Sequence, residues 1–197
     1  MILILAATET ELAPFTYPNT HAVGVGAAAA AAETAEALHR CPEAAAAVFV
    51  GSCGAVDESA ELLHPVLATA VHLASDAVAT ETGFIPELVP TNFAADRSLI
   101  AELSAAIPDA EPAPIYCTDA ISRSSARAQA LATQCNAQFE NLELYGVATA
   151  CVAAKLPWTT LSLVTNHCNE SGHQQWLDNH EAAAERTSKL LSAFLKG

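Results

Sequence analysis

Short aliphatic runs that break into small-residue turns, each followed by a helix-forming stretch, recur along this 197-residue chain. That alternation constrains the fold more than any other feature, because it is how buried strands and the helices that cover them are written in sequence. Ile2–Ala6 reads as a strand, and Thr8 with Glu11 has the spacing of a capping box for a helix that Pro14 ends. His21–Val25 reads as a second strand, turned by Gly24 and Gly26 into the alanine-rich helix Ala27–Arg40. Ala46–Val50 reads as a third strand ending in Gly51-Ser52-Cys53-Gly54, and Pro65–Ala74 is strand-like.

The second half repeats the pattern. A helix is expected over Asp96–Ala106, then a Pro-rich stretch to Pro114, a strand over Ile115–Thr118 and a helix over Ser124–Gln134. Ala137–Glu140 reads as a short strand, Glu143–Leu156 as an alanine-rich helix and Trp158–Thr165 as a β-branched strand. The last helix is expected from about Gln174 to Leu195, with Trp176, Ala183, Leu191 and Phe194 on one face. No repeat and no long linker interrupts this order, so residues 1–197 are expected to form one α/β domain around a mixed sheet.

Composition narrows the function. Apolar residues make up 52% of the chain and charged residues 15%, which excludes disorder. A net charge of −14 argues against binding to nucleic acid or an anionic membrane, but not against a small anion in one local pocket. The six cysteines are far apart and lie mostly in apolar runs, so they are expected as reduced core thiols rather than disulfides or metal ligands. The opening run lacks a signal peptide's basic segment, and no apolar run is long enough to span a membrane, so a soluble cytoplasmic protein is expected.

Three turns have the small residues that let backbone approach a ligand: Gly24–Gly26, Gly51–Gly54 and Thr165–Gly172. Gly24-Val25-Gly26 is only a fragment of a dinucleotide fingerprint, and Glu43 sits in a turn where a strand-end acid is needed, so NAD is rejected. Gly51-Ser52-Cys53-Gly54 does not match G-x-S-x-G, and a tight turn with a buried thiol is the expected role of Cys53. His167, His173 and His180 lack zinc-helix spacing and read as surface or loop residues. Glu11 and Glu143 stand out as acids that each open a helix just after a strand.

Several segments together resemble the purine nucleoside phosphorylase/nucleosidase superfamily, and within it the futalosine hydrolase family. They are Ala6-Ala7-Thr8-Glu9-Thr10-Glu11-Leu12, Gly24-Val25-Gly26, Val50-Gly51-Ser52-Cys53-Gly54-Ala55 and Thr118-Asp119-Ala120-Ile121-Ser122. Glu140-Asn141-Leu142-Glu143-Leu144-Tyr145-Gly146 is similar to the family's E-N-M-E-G-A-A segment, and Thr165-Asn166 to its S-N or S-D turn. The resemblance runs from Met1 to Trp176. It implies a three-layer α/β/α sandwich around a mixed, partly barrel-like sheet, shortened near the N-terminus, where only 12 residues separate Glu11 from Gly24.

The resemblance also implies a cofactor-free, metal-free nucleosidase acting on a purine nucleoside, futalosine first, in menaquinone biosynthesis, as a homo-oligomer with a dimer favoured. Glu11 would activate water and Glu143 would hold the ribose. Ser52, Cys53, Gly54 and Leu142 would line the substrate site, and Ile121 and Ser122 would border the base. Asn166 would contact the purine edge, where an amide suits a 6-oxopurine better than adenine. Ser162 stands where relatives often have Arg, and His173 where a basic group could meet a substrate carboxylate. The rival expectations are a methylthioadenosine/S-adenosylhomocysteine-type nucleosidase, a phosphorylase, and a nucleoside-binding protein of the same fold without activity. Against a phosphorylase, the run Ala27–Ala32 supplies no phosphate cradle.

Overall fold

Alternate residues of β1 (Ile2–Ala6) enter different cores: Leu3 and Leu5 belong to one apolar cluster, Ile4 and Ala6 to another. A strand buried on both faces needs helices on both sides, and the chain supplies them. In this computed structural model, which describes residues 1–195, β1 is followed by α1 (Glu9–Leu12), β2 (Thr20–Ala22), α2 (Ala27–Arg40), β3 (Ala46–Ala55) and β4 (Pro65–Leu73). Then come α3 (Asp76–Ala79), β5 (Asn92–Ala94), α4 (Arg97–Ala106), β6 (Glu111–Cys117) and α5 (Ser125–Cys135). The chain closes with β7 (Phe139–Asn141), α6 (Leu144–Ala153), β8 (Trp158–His167) and α7 (Gly172–Leu195). Ala30 and Ala37 of α2 and Val147 and Cys151 of α6 join Leu3 and Leu5, whereas Leu99 and Leu103 of α4 and Leu191 of α7 join Ile4. The result is an α/β/α sandwich.

The sheet runs β2-β1-β3-β7-β6-β4-β5, and β8 pairs with both β3 and β4. β3, β8, β4, β6 and β7 therefore close on one another as a five-stranded, barrel-like ring within a mixed sheet. β3 makes this possible by changing neighbours along its length: β1 pairs with its first residues, from Ala46, and β7 with its last, Gly54 and Ala55.

Three local readings of the sequence are corrected. Gly51–Gly54 is not a turn but the second half of β3, since β8 pairs along it, with a register shift between Cys53 and Gly54 absorbing the irregularity. Pro112 and Pro114 lie inside β6, which begins at Glu111 rather than after the Pro-rich stretch. That half of the strand has only β4 beside it, and β7 joins from Ile115, so a missing N–H is tolerated on the open side. The second strand is Thr20–Ala22, earlier than expected, and pairs in parallel with β1 within the short link from Glu11 to Gly24.

The alanine-rich α2 and α6 pack closely because neither presents bulk. A Cβ on Gly146 would lie 1.9 Å from the Ala27 carbonyl oxygen, so only glycine allows this approach. All six cysteines are free, five of them buried and Cys41 half-buried. Among the described residues, no helix is long and apolar enough to cross a membrane.

Candidate active site

The carboxyl ends of β1, β3 and β8, the β7–α6 junction and the start of α7 converge on one cavity of about 360 Å³. That is the size of a small-molecule site, and its position beyond strand ends is where open sheets gather ligands.

Glu11 enters from the β1–α1 turn. Thr8 caps α1 as a reciprocal capping box: Glu11 N–H donates to Thr8 Oγ1 at 3.4 Å, and Thr8 N–H and Oγ1 donate to Glu11 Oε2 at 3.0 and 3.1 Å. The other oxygen, Oε1, lies against β3, where a Cβ on Gly51 would come within 2.9 Å of it. Burial raises the Glu11 pKa above the ordinary carboxylate value, the bonds from Thr8 oppose the rise, and the nearby Glu143 charge adds to it.

Glu143 is the N-cap of α6 and is buried. Its Oε1 accepts the Gly26 N–H at 3.0 Å. Burial again raises the pKa, against the pull of that amide. Asn141 builds the corner that presents Glu143: its Oδ1 accepts the amides of Glu143 at 2.8 Å and Leu144 at 2.7 Å. Its Nδ2 donates to the Ser52 carbonyl at 3.2 Å, tying the start of α6 to β3.

At the end of β8, Asn166 is buried with its amide facing the cavity lining. Its Oδ1 accepts from Thr165 Oγ1 at 2.9 Å, and its Nδ2 donates to the His167 carbonyl at 3.3 Å. Glu140, the last side chain of this group, accepts from Ser122 and Tyr116 within the wall. Glu11, Glu140 and Glu143 thus bring three carboxyl groups to one cavity, and among the described residues lining it there is no Lys or Arg. His173 and Trp176 of α7 complete the wall, with the Trp176 ring stacked between His173 at 6.1 Å and His180 at 4.6 Å.

The sequence of residues 19–196 matches the family model for the phosphorylase superfamily. The chain belongs to the phosphorylase superfamily. A sequence search of the curated proteins gives no match. Among solved structures, the fold is similar to that of a mutant futalosine hydrolase from Helicobacter pylori, with a TM-score of 0.87 at 18% identity over 99% of this chain and 98% of that one. It is also similar to a mutant H. pylori MTAN carrying 5′-methylthioadenosine in its active site, with a TM-score of 0.86 at 18% identity over 99% and 97%. A third similar fold is the 5′-methylthioadenosine/S-adenosylhomocysteine nucleosidase of Neisseria meningitidis in complex with methylthio-immucillin-A, with a TM-score of 0.85 at 18% identity over 99% and 98%.

In this phosphorylase-superfamily chain the cavity gathers Glu11, Ser52, Cys53 and Gly54 from the first half, and Ile121, Leu142, Glu143 and Asn166 from the second. Ser122 is the exception among the residues singled out from the sequence. It is fully buried, and both its N–H and its hydroxyl are spent on Glu140, so it stands behind the wall rather than at the base. Cys53 lines the cavity, but burial pushes its thiol well above the ordinary value, which makes it inert wall rather than nucleophile. Ser162 is buried in β8 and shares a 2.9 Å hydrogen bond with Thr160, away from the cavity lining. His167 belongs to β8, and His173 and His180 to α7; none of the three sits in a loop, but His173 is exposed, as expected of a surface residue, and His167 and His180 are half-buried.

Glu140, Asn141 and Trp176 line the cavity without a role assigned from the sequence, and His173, singled out there as a position for a basic group, lines it too. Asn141 had a local signal, an Asx residue two positions before the N-cap of a helix. Glu140 had none, because its role depends on which strand lies beside it.

Proposed function

We propose that this protein hydrolyses the N-glycosidic bond of a purine nucleoside bearing a 6-oxo base, with futalosine as the substrate that best fits. The observation that carries the reading is the set of three carboxyl groups in a cavity lined by no Lys or Arg among its described residues. Breaking an N-glycosidic bond builds positive charge on the sugar, and an anionic site stabilises that charge. A phosphate nucleophile would be repelled there, having no cationic cradle, whereas water is not.

In this reading Glu11 takes a proton from water as its oxygen bonds to C1′ of the ribose and the bond to the purine nitrogen breaks. Glu143 accepts from the ribose hydroxyls. The purine leaves with the bonding electron pair and takes up a proton from solvent, while Glu11 returns to solvent the one it took from water. The N7 and O6 edge of the base faces the Asn166 amide, which hydrogen-bonds it without giving up a proton. The raised pKa of Glu11 supports the role, since a carboxylate made more basic by burial takes a proton more readily at neutral pH.

The test is a panel of ribonucleosides incubated with and without inorganic phosphate, with released bases read by chromatography. Hypoxanthine release from futalosine, unchanged by phosphate, is expected. Phosphate-dependent release would make the protein a phosphorylase, preferential adenine release would overturn the 6-oxo assignment, and no release from any nucleoside would overturn the enzymatic reading.

A further inference from the structure

Strand register brings a carboxylate and an amide to one point of the cavity. Gly54 of β3 faces Glu140 on β7 and Asn166 on β8. Both side chains are buried and both line the cavity. Asn166 is the group read above as touching the purine edge, so the carboxylate across Gly54 belongs to the base end rather than the sugar end.

Every partner that Glu140 has in the wall is a donor. Ser122 N–H reaches Oε1 at 2.9 Å, while the Ser122 hydroxyl at 2.5 Å and the Tyr116 hydroxyl at 3.1 Å both reach Oε2. A carboxylate offers roughly four acceptor positions, so Oε1 keeps one to offer a ligand.

The orientation of that carboxylate is set from outside the cavity. Arg127 of α5 spends all five of its N–H donors. Nε and Nη2 grip Asp76 Oδ1 and Oδ2 at 2.8 and 2.7 Å, Nη2 also reaches Thr118 Oγ1 at 3.0 Å, and Nη1 reaches the Ala120 carbonyl at 3.1 Å and Ser122 Oγ at 2.7 Å. A guanidinium only donates and a carboxylate only accepts. The Ser122 hydroxyl between them must therefore accept from Arg127 and donate to Glu140, which gives the chain Asp76–Arg127–Ser122–Glu140 a single direction. The same three contacts at Thr118, Ala120 and Ser122 pin the loop that presents Ile121 to the cavity.

We propose that Glu140 is a second base-reading group, accepting the ring N1–H of a 6-oxopurine, and that Arg127 is the positioning residue that aims it. The proposal rests on the purine-nucleoside reading above. A 6-oxopurine carries a proton at N1 where a 6-aminopurine presents a lone pair, so one carboxylate rewards the first and repels the second. Selectivity then comes from two side chains on different strands, and loss of either should weaken it.

The experiment is calorimetric binding of hypoxanthine, 1-methylhypoxanthine and adenine, together with the relative cleavage rates of a riboside and its 2′-deoxy analogue, for the wild-type protein and for Glu140→Gln, Arg127→Met and Asp76→Asn. Wild type is expected to bind hypoxanthine about tenfold or more tighter than 1-methylhypoxanthine, as for one matched buried hydrogen bond. Glu140→Gln should collapse that ratio. Arg127→Met and Asp76→Asn should lower it several-fold while leaving the preference for ribosides over 2′-deoxyribosides unchanged, a split that general loosening of the fold would not produce. If the inner variants fail to fold, the wild-type ratio still decides Glu140, and Asp76→Asn, at the half-exposed outer end of the chain, decides Arg127. Equal binding of hypoxanthine and its N1-methyl derivative overturns the role of Glu140, and a shift in both base and ribose preferences overturns that of Arg127. Wild type that binds no purine at all overturns the nucleoside reading itself, a distinguishable result.

Discussion

Glu143 Oε1 accepts the Gly26 amide at 3.0 Å, so the N-caps of α6 and α2 touch at the cavity. Gly26 adopts φ +86°, a left-handed conformation that glycine takes without strain and that leaves its N–H free to meet the carboxylate. Two helix N-termini then bear on one buried acid, and both favour negative charge there. The residues 117 positions apart meet because Gly146 lets the helices come close.

Glu143 should discriminate between sugars. In the wild type a riboside should be cleaved faster than its 2′-deoxy analogue, and Glu143→Ala should slow both while narrowing the gap between them. Steady-state kinetics on the four enzyme–substrate pairs measures this coupling. A wild-type enzyme indifferent to the 2′-hydroxyl would move Glu143 out of the ribose site.

The helix crossing should be intolerant of one methyl group. Gly146→Ala places a Cβ against the Ala27 carbonyl and should destabilise the protein by about 1–3 kcal/mol, as overpacking does. Urea denaturation reads the loss, and an unchanged midpoint would show that the helices separate freely. Because separation stretches the Gly26–Glu143 bond, turnover should fall even at temperatures where the variant is fully folded.

Glu11→Gln should lower turnover by roughly 10²–10⁴, the range for removal of a general base, while the fold persists. The pH dependence of stability has a definite sign. Burial raises the folded pKa of Glu11 above its ordinary value of 4.5, so its contribution is fully present below that value and is lost as pH rises through the folded pKa. Glu143, raised for the same reason, acts in the same direction. The Gln variant should therefore gain on wild type as pH increases from about 4.5, then hold a constant difference. Thermal melts across that range test it. Activity runs the other way, since the base works ionised, and its acid limb should lie above the usual carboxylate range.

Asn166→Asp should shift preference from 6-oxo toward 6-amino purine nucleosides. The exchanged donor leaves O6 facing a carboxylate, while the amine of adenine gains an acceptor. A change of about 1–3 kcal/mol in relative kcat/KM is expected for one buried hydrogen bond, and an unchanged ratio would reduce Asn166 to a shaping residue.

Much of this molecule is legible from local chemistry. The Thr8–Glu11 capping box follows from spacing alone and forms as spaced, because both partners lie within one helical turn. The apolar run Ile2–Ala6 already requires cover on both faces, and the alanines of α2 and α6 already imply close packing. β3 and β6 were less readable. Gly51–Gly54 and Pro112–Pro114 are turn formers by local preference, and they are strands only because β8 and β4 pair with them.

The site divides in the same way. Carboxylates at helix starts are visible in the amino-acid order, which is why Glu11 and Glu143 could be singled out at all. That Ser122 turns inward, that Glu140 faces the cavity and that Arg127 braces it from α5 depend on the pairing of β7 with β3 and β6. A one-residue slip in that pairing would send Glu140 to the other face of the sheet, away from Ser122 and the Arg127 that braces it. Sequence by itself determined most of the elements, though not α3, β5 or the full length of β3 and β6, and the acids that open two helices, because these follow from side-chain period and capping within a few residues. Tertiary structure alone decided which polar groups meet in the cavity, because that is fixed by strand register and by contacts between segments far apart in the chain.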